Sequence, residues 1–317
     1  MKKLRMLIPL IASTITLGAC WIEFGDSFTE DKEVLNSYYS GYNLDLEGDR
    51  LAEELQRNAF DKHTKWILYS QFNSYCARKT NSAGETVTDS IEATAQDSNL
   101  NEWFYTGKEA SGNGTREHVW PCANSDNLWV HAKVDSTGYF GGGSDLYHVR
   151  TCDSGINTKR GNSKFVQFSD KEFASVRGDV KEFGENNGKY KLKLQGFNDS
   201  STFSQRCEPH DKMKGDVARI IVYIWMHYTE RGDVPEGYAT SDVGGYKVKY
   251  SDMVGGLQLT SIMGYNTIER CKQELIEWNK KDKPSTVEKL RNHTVQKIQG
   301  NRNPFVDYPE LVEQVLS

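Results

Sequence analysis

The run from Val217 to Tyr228 limits what this chain can become more than any other stretch. Val217, Ile220, Ile221, Ile224, Trp225 and Tyr228 recur at three- and four-residue intervals after Gly215-Asp216, and Gly232 stops the pattern. That period marks the apolar face of an α-helix, and such a face belongs in a core. Asp216 and Arg219 in the same run read as braces for a neighbouring strand rather than as substrate contacts. Two more helices are expected. One begins at Gly48-Asp49, runs through Leu51, Leu55 and Ala59 and continues towards Ile67 and Leu68, with a break near Asp61. The other covers about residues 284–298, with Ser285 as its cap and Val287, Leu290, Thr294, Val295 and Ile298 on one side.

Between the helical runs, Asp145 to Arg150 alternates apolar and polar residues as a half-buried strand does. Leu128-Trp129-Val130 reads as a short strand, and the alternation around Tyr190 to Leu194 reads as a hairpin turning at Asn186-Asn187-Gly188. Residues 82–101 have the Ser, Thr, Asp and Asn content of a loop. With no internal repeat visible, the chain reads as one mixed α+β domain over residues 46–317.

At the N-terminus, Lys2, Lys3 and Arg5 precede an apolar run, Met6 to Leu17, that is too short for an ordinary membrane span and reads as an export signal. It closes in Leu17-Gly18-Ala19-Cys20, which resembles the lipobox of bacterial lipoproteins. Residues 1–19 are therefore expected to be a signal peptide, Cys20 to carry lipid and meet a membrane, and residues 20–45 to form a tether. Ordinary secretory cleavage before Cys20 is the alternative. Loss of the leader leaves 36 of the 39 basic residues against 44 acidic ones, a net charge of −8. That sign opposes global binding of a polyanion, so phosphate affinity must come from a local basic cluster or a bound cation. Five cysteines besides Cys20 (Cys76, Cys122, Cys152, Cys207 and Cys271) allow at most two bridges and one free thiol, and none has the paired spacing of a zinc site.

Chemistry concentrates at Gly114-Thr115-Arg116-Glu117-His118-Val119-Trp120-Pro121, where a carboxylate and an imidazole adjoin between Gly and Pro. Phosphodiester hydrolysis needs an activated water, a cation to neutralise the charge that develops, and stabilisation of the leaving oxygen. His118 can act as general base and Glu117 as a hard oxygen ligand for Mg²⁺. A second oxygen can come from Asn157 or Asn162, which flank Lys159-Arg160, whose charges suit phosphate. Against this, a lone Glu-His pair is most often a solvated surface feature, and His148 on a strand is as well explained by a structural hydrogen bond.

Five blocks in order resemble the bacterial endonuclease I family: Arg116 to Pro121, Asp145 to Arg150, Ile156 to Asn162, Lys214 to Arg219, and Gln299 to Phe305 with Arg291-Asn292 upstream. The likeness runs from about Leu51 to the C-terminus, and residues 170–200 and part of 230–262 look like insertions. It implies a ββα-metal, or His-Me finger, core that cuts DNA and often RNA with little sequence preference. It further implies His118 as general base, and Glu117 and Asn157 as ligands of Mg²⁺, with Mn²⁺ or Ca²⁺ as other candidate ions. Arg150 joins the catalytic group, Arg116, Lys159, Arg160 and Asn162 bind substrate, and Asp145 and His148 support. Tyr147 departs from the family, which commonly has His there. Pro304 and Phe305 point to a buried loop lock. The chain is read as a monomer whose alternative role is a surface lipoprotein that binds nucleic acid or another partner without efficient cleavage.

Overall fold

The structure is a computed structural model that describes residues 30–72, 78–80, 86–88, 102–106, 108–109, 115–125, 133–135, 138–183, 191–196, 205–232, 241–243, 246–248 and 250–317. The leader, Cys20, Cys76, the expected strand at Leu128 to Val130 and the turn at 186–188 lie outside them.

The apolar period at 217–228 becomes the helix Lys214–Tyr228, in which every residue except Trp225 is buried. Helices Gly48–Lys62 and Ile268–Lys281 pack against it, as does the short helix Pro304–Asp307. Gly215 sits where this helix passes the end of Ile268–Lys281: a Cβ there would fall 1.9 Å from the Asp282 carbonyl oxygen, so only glycine permits the approach. The neighbouring Arg219 is wholly buried and spans Glu288, Asn279 Oδ1 (3.1 Å) and the Asp282 carbonyl (2.7 Å). Helix Thr286–Gln299 starts at Ser285, whose Oγ accepts from Glu288 N at 3.2 Å.

Helix Ile268–Lys281 is not among the elements expected above, although Cys271, Leu275 and Trp278 recur on one buried face and Thr267 caps its start. Charged residues at 269, 270, 272, 274 and 277 dilute that stripe in the sequence. A further correction concerns the tether. Residues from Glu30 onward belong to the fold: Asp31 caps helix Lys32–Tyr38, the Tyr38 hydroxyl accepts from Arg302 N at 2.8 Å, and the Tyr39 hydroxyl donates to Asp307 Oδ2 at 2.7 Å. Two adjacent buried tyrosines supply the apolar surface that the polar composition of this segment conceals.

Two small sheets matter for the site. Thr115–His118 pairs antiparallel with Val149–Cys152, joining Glu117 to Arg150 and His118 to Val149 in register. A four-stranded sheet has the order 181–183, 192–195, 206–208, 164–165, its last pair parallel, so the hairpin between residues 170 and 200 continues into a sheet attached to the core through Phe165 and Cys207. Cys122, Cys152, Cys207 and Cys271 are present as thiols. No described helix is long and apolar enough to cross a membrane. The architecture is α+β.

At the start of the central helix, the buried Lys214 ammonium donates to Glu208 Oε1 (2.9 Å), Asp211 Oδ1 (2.6 Å) and Gln167 Oε1 (2.8 Å). Burial pushes the Glu208 carboxyl up, but Lys214 and the Phe168 N–H outweigh it and hold the group below its ordinary 4.5. A carboxyl depressed on folding contributes stability above its unfolded pKa and loses it as pH falls through the folded value. Glu208→Gln should therefore flatten the drop in Tm between about pH 5 and about pH 3. Thermal melts across that range check this, and equal slopes in the two proteins would remove Glu208 as the responsible group.

Candidate active site

The strand Thr115–His118, its partner Val149–Cys152 and the helix Ser154–Arg160 form a β-β-α unit. Asp153 starts the helix by accepting from Ile156 N at 3.0 Å. Side chains alternate along the strand, and the contacts show which face each takes. Arg116 and His118 both meet Tyr69: the Arg116 guanidinium lies 3.9 Å from the Tyr69 ring centroid and donates to the Tyr69 carbonyl at 2.8 Å, while the His118 ring stacks on the same tyrosine at 5.3 Å. Thr115 and Glu117 face the helix, where Asn157 Nδ2 donates to Thr115 Oγ1 (3.0 Å) and to the Arg116 carbonyl (2.9 Å).

His118 Nε2 lies 2.7 Å from the Gly143 carbonyl oxygen. A carbonyl can only accept, so Nε2 carries the proton and Nδ1 keeps the lone pair. Burial, reinforced by the Arg116 and Arg160 charges and partly offset by Gly143, pushes its pKa down to about 4. The imidazole is thus a neutral base at pH 7.

Glu117 is 3% exposed, and its Oε1 accepts from the Tyr105 hydroxyl at 2.6 Å and from Arg160 Nη1 at 2.9 Å. Tyr105 reaches it from a backbone at φ 76°, a left-handed conformation unusual for a residue with a side chain. Burial raises the Glu117 carboxyl to about 7 despite both donors, so the site is short of positive charge. Oε2 accepts no hydrogen bond among the described residues, and neither does Asn157 Oδ1. The Glu117 carboxylate and the Asn157 amide each offer an oxygen of the kind that a hard divalent cation such as Mg²⁺ takes.

The structure places the other expected residues in several ways. Arg160 is fully buried: besides Glu117 it donates to the carbonyls of His118 (3.1 Å) and Val119 (2.7 Å), so it clamps the strand where a phosphate contact was expected. Its correct placement depends on tertiary contacts that a Lys-Arg pair in a polar loop does not reveal. His148 is buried as well, accepting from Trp120 N at 2.9 Å and facing the Gly142 carbonyl. Arg150 lies over the Phe104 ring and 3.9 Å from Asp216, tying the strand to the central helix. Lys159 is half-buried near Phe183 and Asn162 is exposed. Tyr147, at the family departure, is buried with its hydroxyl on the Asn301 and Asn292 carbonyls (2.8 and 3.1 Å), which removes it from any metal shell. Tyr69, Tyr105 and Gly143 were not singled out in the sequence, because each reaches the site through a long-range contact.

The Endonuclease I family model matches residues 49–310. This chain belongs to the endonuclease I family. It is also similar to two curated proteins, each named extracellular ribonuclease. Identity is 30% over 216 residues with that of Bacillus subtilis (strain 168), covering 67% of this chain and 60% of the relative. It is 29% over 206 residues with that of Bacillus amyloliquefaciens, covering 64% and 54%. The chain thus spans somewhat more than half the length of these relatives. The matched family region contains the whole β-β-α unit together with Asp145 and the C-terminal block.

Removing the Arg160 charge leaves Glu117 buried with only a tyrosine donor, a loss of about 3–5 kcal/mol for a broken buried pair. Arg160→Met should therefore lower unfolding stability on that scale in urea, whereas Lys159→Ala should stay within about 0.5 kcal/mol of wild type. Equal stability of Arg160→Met and wild type would dismiss the clamp.

Proposed function

We propose that this chain is an exported, metal-dependent endonuclease that hydrolyses phosphodiester bonds of DNA and RNA with little sequence preference. The observation that carries the reading is the β-β-α unit of an endonuclease I member in which the Gly143 carbonyl holds His118 Nε2 while Glu117 Oε2 and Asn157 Oδ1 accept no hydrogen bond among the described residues. The ribonuclease names of the two relatives favour RNA as a substrate, and their extracellular designation supports export.

His118 Nδ1 takes the proton of the attacking water, and the Nε2–H bond to Gly143 holds the ring while charge develops on it. Tyr69 fixes both the imidazole plane and the Arg116 guanidinium beside it, so Arg116 can offer its remaining N–H groups to a phosphate oxygen. Glu117 Oε2 and Asn157 Oδ1 would hold Mg²⁺ or Mn²⁺, which when bound neutralises charge on the phosphate and its leaving oxygen. Because His118 and Glu117 leave the strand on opposite faces, a phosphate reaches both by lying across the strand edge, where Thr115–His118 has no second partner strand among the described residues.

Nicking of supercoiled plasmid and cleavage of single-stranded RNA, each with Mg²⁺ and with EDTA, test the proposal. EDTA should abolish both, and His118→Ala should reduce kcat/KM by about 10²–10⁴. A His118→Ala protein that cuts at the wild-type rate would refute the base, and binding without cleavage in any divalent cation would favour the binding-only reading.

A further inference from the structure

Away from the strand edge, three metal-ligating side chains converge inside the core. His63 follows the end of helix Gly48–Lys62, Asp145 precedes the strand Val149–Cys152, and His227 lies near the end of the central helix. They are 7%, 2% and 0% exposed, and each offers a ligand atom within 4.8 Å of the others.

Their hydrogen bonding is incomplete. The Tyr223 hydroxyl has one proton, and it donates this to Asp145 Oδ2 at 2.7 Å while accepting from Asn301 Nδ2 at 2.7 Å. His227 Nδ1, 2.8 Å from the same hydroxyl, must then be the protonated nitrogen. That leaves a lone pair on His227 Nε2, which has no partner among the described residues. Among the described residues neither ring nitrogen of His63 has a hydrogen-bond partner. Three buried imidazole nitrogens without partners are rare in a native core, where such groups are nearly always satisfied. Aromatic rings enclose them, with Trp66 stacked on His63 at 3.6 Å and Tyr228 on His227 at 4.3 Å.

We infer that His63, Asp145 and His227 form a buried structural site for a transition-metal cation of the Zn²⁺ class, separate from the phosphodiester site. Two imidazoles and one carboxylate are the ligands of Zn²⁺ rather than of Mg²⁺, which prefers oxygen donors and retains water. An ion there pins the end of helix Gly48–Lys62, the central helix and the segment entering the site strand to one point. None of the three residues is assigned to catalysis, so the site stands or falls independently of the nuclease reading.

The test uses the full chain freed of metal by unfolding in chelator and refolding, then titrated with Co²⁺ and with Zn²⁺. Wild type should take up a single tightly held Co²⁺ with the strong visible absorption of a four-coordinate site. Zn²⁺ at about a hundredfold excess over Kd should raise Tm by about 5–10 °C, while Mg²⁺ alone should not produce that rise. Glu117→Gln with Asn157→Ala should keep the Co²⁺ absorption, and His63→Gln, its fold checked by circular dichroism, should lose it together with the Zn²⁺-dependent rise in Tm. The inference is overturned if wild type binds no Co²⁺ with that absorption, or if His63→Gln retains it while the Glu117/Asn157 double variant loses it.

Discussion

One buried carboxylate holds the parts of this protein together. Asp145 accepts from the Tyr223 and Tyr228 hydroxyls of the central helix, both at 2.7 Å, from Tyr147 N at 2.8 Å in its own turn, and from Gln299 at 3.3 Å in the C-terminal block. Burial raises its pKa, and the four donors offset part of that rise. Through it the helix, the C-terminal lock and the segment leading into the site strand share one reference point. Gln299 extends the link: its Oε1 accepts from Leu146 N at 2.7 Å, and its carbonyl accepts from Thr64 N at 2.8 Å. Gly300 follows at φ 95°, where a Cβ would lie 2.2 Å from the Lys62 carbonyl, so the C-terminal block can close onto helix Gly48–Lys62 only with glycine there.

From that frame the candidate site inherits its order. The strand carrying Glu117 and His118 is held on one side by Val149–Cys152 and on the other by Arg160, whose guanidinium bonds both the Glu117 carboxylate and the backbone beyond His118. Arg219 plays a comparable part between the central helix and Glu288, and Arg291 donates to the Leu146 and Val149 carbonyls at 2.7 and 3.2 Å. Buried arginines thus serve mainly as connectors here, because a planar guanidinium can satisfy several carbonyls and a carboxylate at once. Exposed positive charge near the site rests with fewer residues than the count of Lys and Arg in the finger segment implies, which agrees with a protein whose overall charge is negative.

Part of the candidate site was legible residue by residue. Glu117 and His118 lie on the strand and Asn157 on the helix of one β-β-α unit, and Pro304-Phe305 belong to a buried lock. Arg160 and His148 show the limit. Their residue types suit phosphate or a metal shell, and only the packing of the helix against the strand reveals that both are spent on the interior. Tyr69 and Tyr105, 47 and 12 residues from the side chains they orient, carry no local pattern that could announce them.

What the amino-acid sequence determined by itself was whatever depends on neighbours along the chain: the apolar period of Lys214–Tyr228, the Ser285 cap, the order of the family blocks and the α+β class. The tertiary structure alone decided which face of the strand each site residue takes, which cations are buried, that residues 30–45 fold onto the C-terminal segment, and that His63 and His227 meet Asp145. The division has a physical cause. Helical period and capping are set by interactions three or four residues apart, whereas burial and ligand geometry are set mainly by groups that the chain brings together from distant positions.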